Sequence, residues 1–320
     1  MTFLTRDALE EAARLVHRAL PPTPQICWPL LCARAGTEVW VKHENHLPTG
    51  AFKVRGGILY MHRLKEREPE IGGVIAATRG NHGQSVAYAG AKAGLRVVIV
   101  VPHGNAAEKN AAMRALGGEL IEHGEDFQDA LEYAAGIAAE RRLHFVPSCE
   151  ETLVSGVASY ALELFGAVPD LDTAYVPIGL GSGICGMIAA RDALGLRCEI
   201  AGVVSAEAPA YALSFEAKRP IQAKVTAGIA DGMACRAPNE GALETILKGA
   251  SRVVTVNDAE IQDSMRHLFS DTHNAAEGAG AAGFAALLKE RDRMRGRKVA
   301  TVLSGGNVDR AVFARVLAAN

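Results

Sequence analysis

Patterned cysteine is the first thing this chain lacks. Its six cysteines (Cys27, Cys32, Cys149, Cys185, Cys198 and Cys235) form no C-x-x-C pair and no regular spacing, which points to reduced, mostly buried thiols. Aromatic residues are sparse at 5%, too few for a platform that stacks single-stranded bases. Neither charge dominates: 34 basic and 36 acidic residues leave a formal net charge of −2, so nothing marks a nucleic-acid or membrane-surface partner. The longest strongly apolar run, VVIVV at 97–101, has the length of a strand and cannot span a bilayer. The N-terminus carries Asp7, Glu10 and Glu11 on an amphipathic helix, unlike a signal peptide. No low-complexity linker, tandem repeat or charge run interrupts the chain. These absences lead to the expectation of a soluble cytoplasmic protein.

What is present is an alternation of strands and helices over 320 residues, 49% of them hydrophobic, enough for two domains or one large one. Thr5 or Asp7 can cap a first helix with Leu9, Ala12, Val16 and Leu20 at helical spacing, ended by Pro21 and Pro22. An extended segment through Pro24, Trp28 and Pro29 follows. Strands are expected at 38–43, 73–77, 96–101, 119–122, 143–146, 173–178, 199–204, 252–256 and 298–303. Most are continuous apolar runs, the pattern of parallel strands covered on both faces. Helices are expected near 83–93, 105–115, 126–140, 153–165, 185–194, 258–269, 280–290 and 308–318. Such a βαβ architecture gathers ligands in the loops after its strands. Domain boundaries are expected near residues 48 and 147.

Four stretches carry candidate chemistry. In VKHENHLPTGAFKVRGG (41–57) a strand enters a turn with Pro48, Thr49 and Gly50, and Phe52 and Lys53 open a helix. A lysine partly buried there has a lowered pKa, as a Schiff-base nucleophile requires; a solvated first-turn lysine is the plainer alternative. In GGVIAATRGNHGQS (72–85) a buried strand delivers Thr78, Arg79, Gly80, Asn81 and His82 to a helix start, where free backbone N–H groups suit a carboxylate. Asn81 either offers its amide to an oxygen or caps the helix, and His82 reads best as a packed imidazole. AYVPIGLGSGICG (174–186) places Gly179, Leu180, Gly181, Ser182 and Gly183 before a helix, a cradle for a phosphate dianion. Gly181, Gly183 and Gly186 also fit G-x-G-x-x-G, with Glu207 beyond, which keeps an NAD-binding Rossmann-like protein as a remote alternative. Finally VATVLSGGNVD (299–309) ends a strand in Ser304, Gly305, Gly306 and Asn307. The Ser304 hydroxyl suits a ring nitrogen that is never forced to carry full charge; helix capping by Ser304 or Asn307 is the alternative.

Taken together, TGAFKVRGG, TRGNHGQ, GLGSG, ADGM (230–233), AAEGAGAAG (275–283) and LSGGNVD resemble the fold type II pyridoxal-phosphate enzymes, and within them the serine/threonine dehydratase and serine racemase branch. The resemblance spans residues 23 to 309 and rests on the order of the motifs more than on any one. It implies an α/β fold like the tryptophan synthase β chain, with a large cofactor-binding domain (1–48 plus 148–320) and a small mobile domain (49–147) that closes over substrate. It implies pyridoxal 5'-phosphate as cofactor and Lys53 as the residue holding it covalently, with Phe52 on one ring face. Asn81 would bond the phenolic oxygen, and Gly179, Leu180, Gly181, Ser182 and Gly183 the phosphate. Ser304 would face the pyridine nitrogen, with Gly232 and Glu277 near the ring and Gly305 also among the cofactor-binding residues. Thr78, Arg79, Gly80, Asn81 and His82 would hold the substrate carboxylate. The implied activity is an ammonia-lyase that eliminates water from a β-hydroxy-α-amino acid such as threonine, serine, 3-hydroxyaspartate or phenylserine, giving a 2-oxo acid and ammonia. A nitrogen facing a serine makes a weaker electron sink, which favours β-elimination. Racemisation or β-replacement on the same scaffold is the alternative, and a homodimer the implied assembly.

Several positions depart from the family pattern. Arg79 stands where racemases have serine; always protonated, it cannot be a second-face base. It either binds an acidic or polar substrate side chain or turns outward to a surface carboxylate. Ala51 replaces the usual serine before Phe-Lys, and GVAS (156–159) replaces G-Q-G-T, expected to alter the active-site wall. Val204 and Ala210 stand where cation-binding relatives have acids, so no metal is expected there. The length leaves no room for a C-terminal regulatory domain, and feedback inhibition by an end-product amino acid is not expected.

Overall fold

The computed structural model describes residues 4–226 and 228–319. Its strands are β1 (Gln25–Cys27), β2 (Glu38–His43), β3 (Gly73–Ala77), β4 (Arg96–Val101), β5 (Gly118–Glu122), β6 (His144–Phe145), β7 (Thr173–Pro177), β8 (Glu199–Ser205), β9 (Arg252–Val256) and β10 (Lys298–Leu303). The helices are α1 (Arg6–His17), α2 (Pro29–Ala35), α3 (Lys53–Arg67), α4 (Asn81–Lys92), α5 (Ala107–Ala115), α6 (Phe127–Arg141) and α7 (Glu151–Ala167). They continue as α8 (Ser182–Ala193), α9 (Ala210–Ala217), α10 (Glu240–Gly249), α11 (Asp258–Thr272), α12 (Gly278–Lys289) and α13 (Arg310–Ala318).

Two sheets organise these elements. Six strands run in the order β1-β2-β10-β7-β8-β9, and four in the order β5-β4-β3-β6. Every pairing is parallel except β1 with β2, which is antiparallel. The central β3 is buried at every position, as expected of a parallel strand covered by helices on both faces. Thr5 caps α1, its hydroxyl accepting from the Ala8 amide, and Leu9, Ala12 and Val16 face inward. The segment through Pro29 is not extended throughout: Pro29 opens α2, which ends at Gly36 with φ 67°. Proline suits a first helical position because the N–H it lacks has no partner there. Two further helices, α9 and α10, fill a stretch for which the sequence pattern offers no assignment.

Helix α3 is pinned by charge. Arg55, wholly buried, donates from Nε to Glu44 Oε2 at 2.6 Å and from Nη2 to Glu44 Oε1 at 3.0 Å. Its Nη1 reaches Glu163 Oε1 at 2.5 Å and Ser159 Oγ at 3.0 Å, while buried Lys42 donates to Glu163 Oε2 at 2.5 Å. The cluster joins β2, the turn at 44–46, α3 and α7. Burial alone would push the Glu163 carboxyl up, but Arg55 and Lys42 reverse this and hold it at about 2. The GVAS stretch lies inside α7, where Ser159 serves Arg55 and a Cβ on Gly186 of α8 would come within 3.0 Å of the Ala158 nitrogen. These residues therefore build the α3–α7–α8 packing and do not line the active-site cleft, contrary to the expectation of an altered wall.

Removing one partner strands buried charges, so Arg55→Met is expected to lower stability by about 3–5 kcal/mol, read as a loss of denaturation midpoint. A midpoint within error of wild type would contradict the role of the cluster. Because the folded pKa of Glu163 lies below the ordinary 4.5, its contribution is whole above that value and drains away as pH falls toward 2. Acid unfolding of a Glu163→Gln variant is expected to show a shallower dependence over that window.

Candidate active site

The ends of β2, β3, β7 and β10 feed loops that enclose a cleft of about 1030 Å³. On its wall lie Phe52 and Lys53, Thr78 to His82, Gly179 to Gly183, Gly232, Glu277 and Ser304. Gly305 stands just behind, its carbonyl accepting from the Glu277 amide at 3.1 Å and its backbone bridging Ala51.

Lys53 heads α3. Its Nζ donates to Ser182 Oγ at 2.8 Å and lies 5.3 Å from the Phe52 ring centre. No carboxylate pairs with it among the described residues, and burial pulls its pKa down. A first-turn lysine in solvent keeps its ordinary pKa; burial here shifts the balance toward the uncharged amine, the form that acts as a nucleophile or base.

Ser182 begins α8, whose N-terminus has no side-chain cap. Gly181 precedes it at φ 104°, where a Cβ would also come within 2.6 Å of Ala242 Cβ. The first-turn amides of α8 are left facing the cleft, as an anion requires. Tyr211 and Tyr160 lock this loop, donating to Leu180 O at 2.9 Å and Gly183 O at 2.8 Å. Gly179 packs so closely on the turn at 231–233 that a Cβ would meet Gly232 O at 2.5 Å.

Across the cleft, the alternative in which Asn81 caps a helix fails. Thr78 Oγ1 takes the Gly80 and Gly83 amides at 3.0 and 3.2 Å, leaving the Asn81 side chain free to donate to Glu277 Oε1 at 2.5 Å and accept from Asn307 at 2.8 Å. Nor do Ser304 and Asn307 cap α13, whose N-cap is Asp309. His82 is packed, as read from the sequence, yet its Nε2 has no partner. Burial and nearby Lys53 push its pKa down to about 3, so the imidazole is neutral. Arg79 is exposed at the rim, and no carboxylate pairs with it among the described residues, so the outward ion pair weighed as its alternative does not form. Glu207 is bonded to Thr226 and lies off the cleft, which removes the acidic residue that a dinucleotide site would need.

Two residues escaped the sequence reading. Lys109, on α5, reaches Asp231 Oδ2 at 2.6 Å and Glu277 Oε2 at 3.6 Å; nothing in the local sequence distinguishes it from a surface lysine. Tyr211 carries no signal either, although its hydroxyl also receives the Asn239 amide at 3.1 Å. No group of three or more metal-ligating side chains occurs among the described residues.

With its pKa depressed, Lys53 is expected to undergo reductive methylation in the ligand-free protein at about pH 7, ahead of exposed lysines whose pKa stays near ~10.4. Peptide mapping reads the order; modification of Lys53 last would contradict the lowered pKa.

The chain is similar to the L-threonine ammonia-lyase of Thermotoga maritima, with 32% identity over 98% of this chain and 78% of that protein. It is 29% identical to the biosynthetic L-threonine dehydratase of Haemophilus influenzae over 95% of this chain and 60% of that protein. The structure of maize serine racemase matches with a TM-score of 0.92 at 27% identity, covering 98% of this chain and 96% of that one. The family of pyridoxal-phosphate dependent enzymes matches residues 16–305, and the chain belongs to it.

Proposed function

We propose that the protein is an ammonia-lyase using pyridoxal 5'-phosphate to eliminate water from a β-hydroxy-α-amino acid, releasing a 2-oxo acid and ammonia. The carrying observation is Lys53, a buried amine bonded to Ser182 at the start of α8, with no acid partner among the described residues.

The residues present fit the cofactor. An amine free of a counter-ion suits an aldehyde, and an uncapped helix start with Gly181 in the left-handed region suits a phosphate. In this reading Lys53 holds the cofactor, Gly179 to Gly183 its phosphate, Phe52 one ring face, Asn81 its phenolic oxygen and Ser304 its ring nitrogen. Gly232, Glu277 and Gly305 complete the surround. When bound, pyridoxal phosphate supplies an electron sink conjugated to the substrate nitrogen and so acidifies the Cα–H bond. Once the substrate amine has taken its place, Lys53 Nζ would be free to take that proton, its pKa lowered by burial. The amides around Thr78 to His82 orient the substrate carboxylate, and the neutral His82 adds no competing charge. Arg79 stays protonated and supplies no second-face base, which disfavours racemisation. Its unpaired guanidinium at the rim instead suits a second substrate carboxylate.

Residues 49–147, which contain the four-stranded sheet, are the smaller unit that closes over substrate. The Arg55 cluster holds the first turns of α3 against β2 and α7, so the closing movement takes place about that helix. A cytoplasmic homodimer accompanies this reading; no helix among the described residues is long and apolar enough to cross a membrane.

The test is 2-oxo acid release from L-serine, L-threonine, threo- and erythro-3-hydroxyaspartate and phenylserine. Lys53→Ala is expected to lose turnover by roughly 10² to 10⁴-fold together with the absorbance of covalently held cofactor. Full turnover in that variant would end the proposal, and a sulfide-dependent product without oxo acid would favour β-replacement. Arg79→Ala is expected to raise KM for 3-hydroxyaspartate and leave that for serine unchanged.

A further inference from the structure

Lys109 stands in the first turn of α5, on the four-stranded side of the molecule, but only 6% of it is exposed. Its stem runs under the loop after β3, where a Cβ on Gly80 would come within 2.9 Å of Lys109 Cδ. The ammonium emerges on the opposite wall of the cleft, 2.6 Å from Asp231 Oδ2 and 3.6 Å from Glu277 Oε2. Both acids belong to the six-stranded side, Asp231 in the turn at 231–233 and Glu277 at the N-cap of α12.

Glu277 is 2% exposed, and its Oε2 has no hydrogen-bond partner. The groups facing it are few: Lys109 from α5, Asp231 from the turn and the Asn81 amide from α4. Burial pushes its carboxyl up and Asp231 adds to that, whereas Lys109 and Asn81 oppose it. Lys109 is the one cation among these groups, and it opposes the net upward shift that burial imposes on the Glu277 carboxyl.

We propose that Lys109 is a positioning residue, an electrostatic clasp from α5 across the cleft to Glu277 and Asp231, which through Glu277 aims the Asn81 amide into the site. The part played by Asn81 rests on the ammonia-lyase reading; the clasp itself does not. Charge at a salt-bridge end acts over a short distance, so the clasp holds only while the two walls are together, and it couples their approach to the orientation of Asn81.

The experiment compares wild type, Lys109→Met, Lys109→Arg and the double variant Asp231→Asn/Glu277→Gln. In the ligand-free proteins, amide hydrogen exchange of α5 and of residues 78–82 is expected to quicken about tenfold or more in Lys109→Met, with Lys109→Arg close to wild type. Titration with pyridoxal phosphate is expected to weaken by about tenfold in Lys109→Met. The pH profile of that affinity is also expected to shift relative to wild type, because Glu277 loses the cation that opposes its upward shift. Exchange at wild-type rates in Lys109→Met, or equal acceleration in the Arg variant, would overturn the clasp, the latter because it would show lost packing where charge was claimed. Should Lys109→Met fail to fold, the double variant Asp231→Asn/Glu277→Gln keeps the shape and removes both acids; unaltered exchange at α5 in that variant would overturn the proposal equally. Absence of 2-oxo acid release with the exchange difference intact would remove the ammonia-lyase reading and leave the clasp standing.

Discussion

A guanidinium sealed from water between two carboxylates sets the geometry of this molecule. Arg55 cannot leave Glu44 and Glu163 without stranding three buried charges, and it lies two residues beyond Lys53 on the same helix turn. The ion cluster therefore fixes where the Lys53 amine stands relative to α7 and to the start of α8. Close approach reinforces it: a Cβ on Gly56 would meet the Leu153 carbonyl at 2.7 Å, so α3 lies directly on α7. Buried ion pairs often add little net stability, but here the bidentate geometry and the Ser159 hydroxyl specify one position for the helix.

The cleft shifts two lysines in opposite directions. Lys53 is buried beside a serine hydroxyl, and desolvation lowers its pKa toward the uncharged form of a nucleophile and base. Lys109 is buried beside two carboxylates, which more than offset its desolvation and keep it a cation. Burial alone is common to both, and the presence or absence of an acid within reach decides which chemistry each can do.

Much of this was legible in the chain. The continuous apolar runs at 73–77, 96–101 and 298–303 are β3, β4 and β10, because parallel strands buried on both faces must be apolar throughout. The loops after β3, β7 and β10 were legible too, since glycine, serine and asparagine at a strand–helix junction have local steric and hydrogen-bonding reasons to be there. The helices α9 and α10 were not: α9 (AYALSFEA) sits between Pro209 and Pro220 with apolar residues around its whole circumference, and α10 follows Pro238 with no strand pattern before it. The GVAS stretch misled for a different reason, since its motif position says nothing about which face of α7 its residues occupy.

Local chemistry was determined by the sequence alone: where the backbone turns, which helix starts lie open, and that a lysine sits at a strand–loop–helix mouth. These depend on neighbours a few residues apart. Which charges meet was decided only by the tertiary structure. Lys109 and Asp231 are 122 residues apart and Arg55 and Glu163 are 108 apart, and Coulomb interactions act through space with no regard for the distance along the chain. The packing of two sheets around one cleft brought those residues together, and with them came the protonation states on which the chemistry rests.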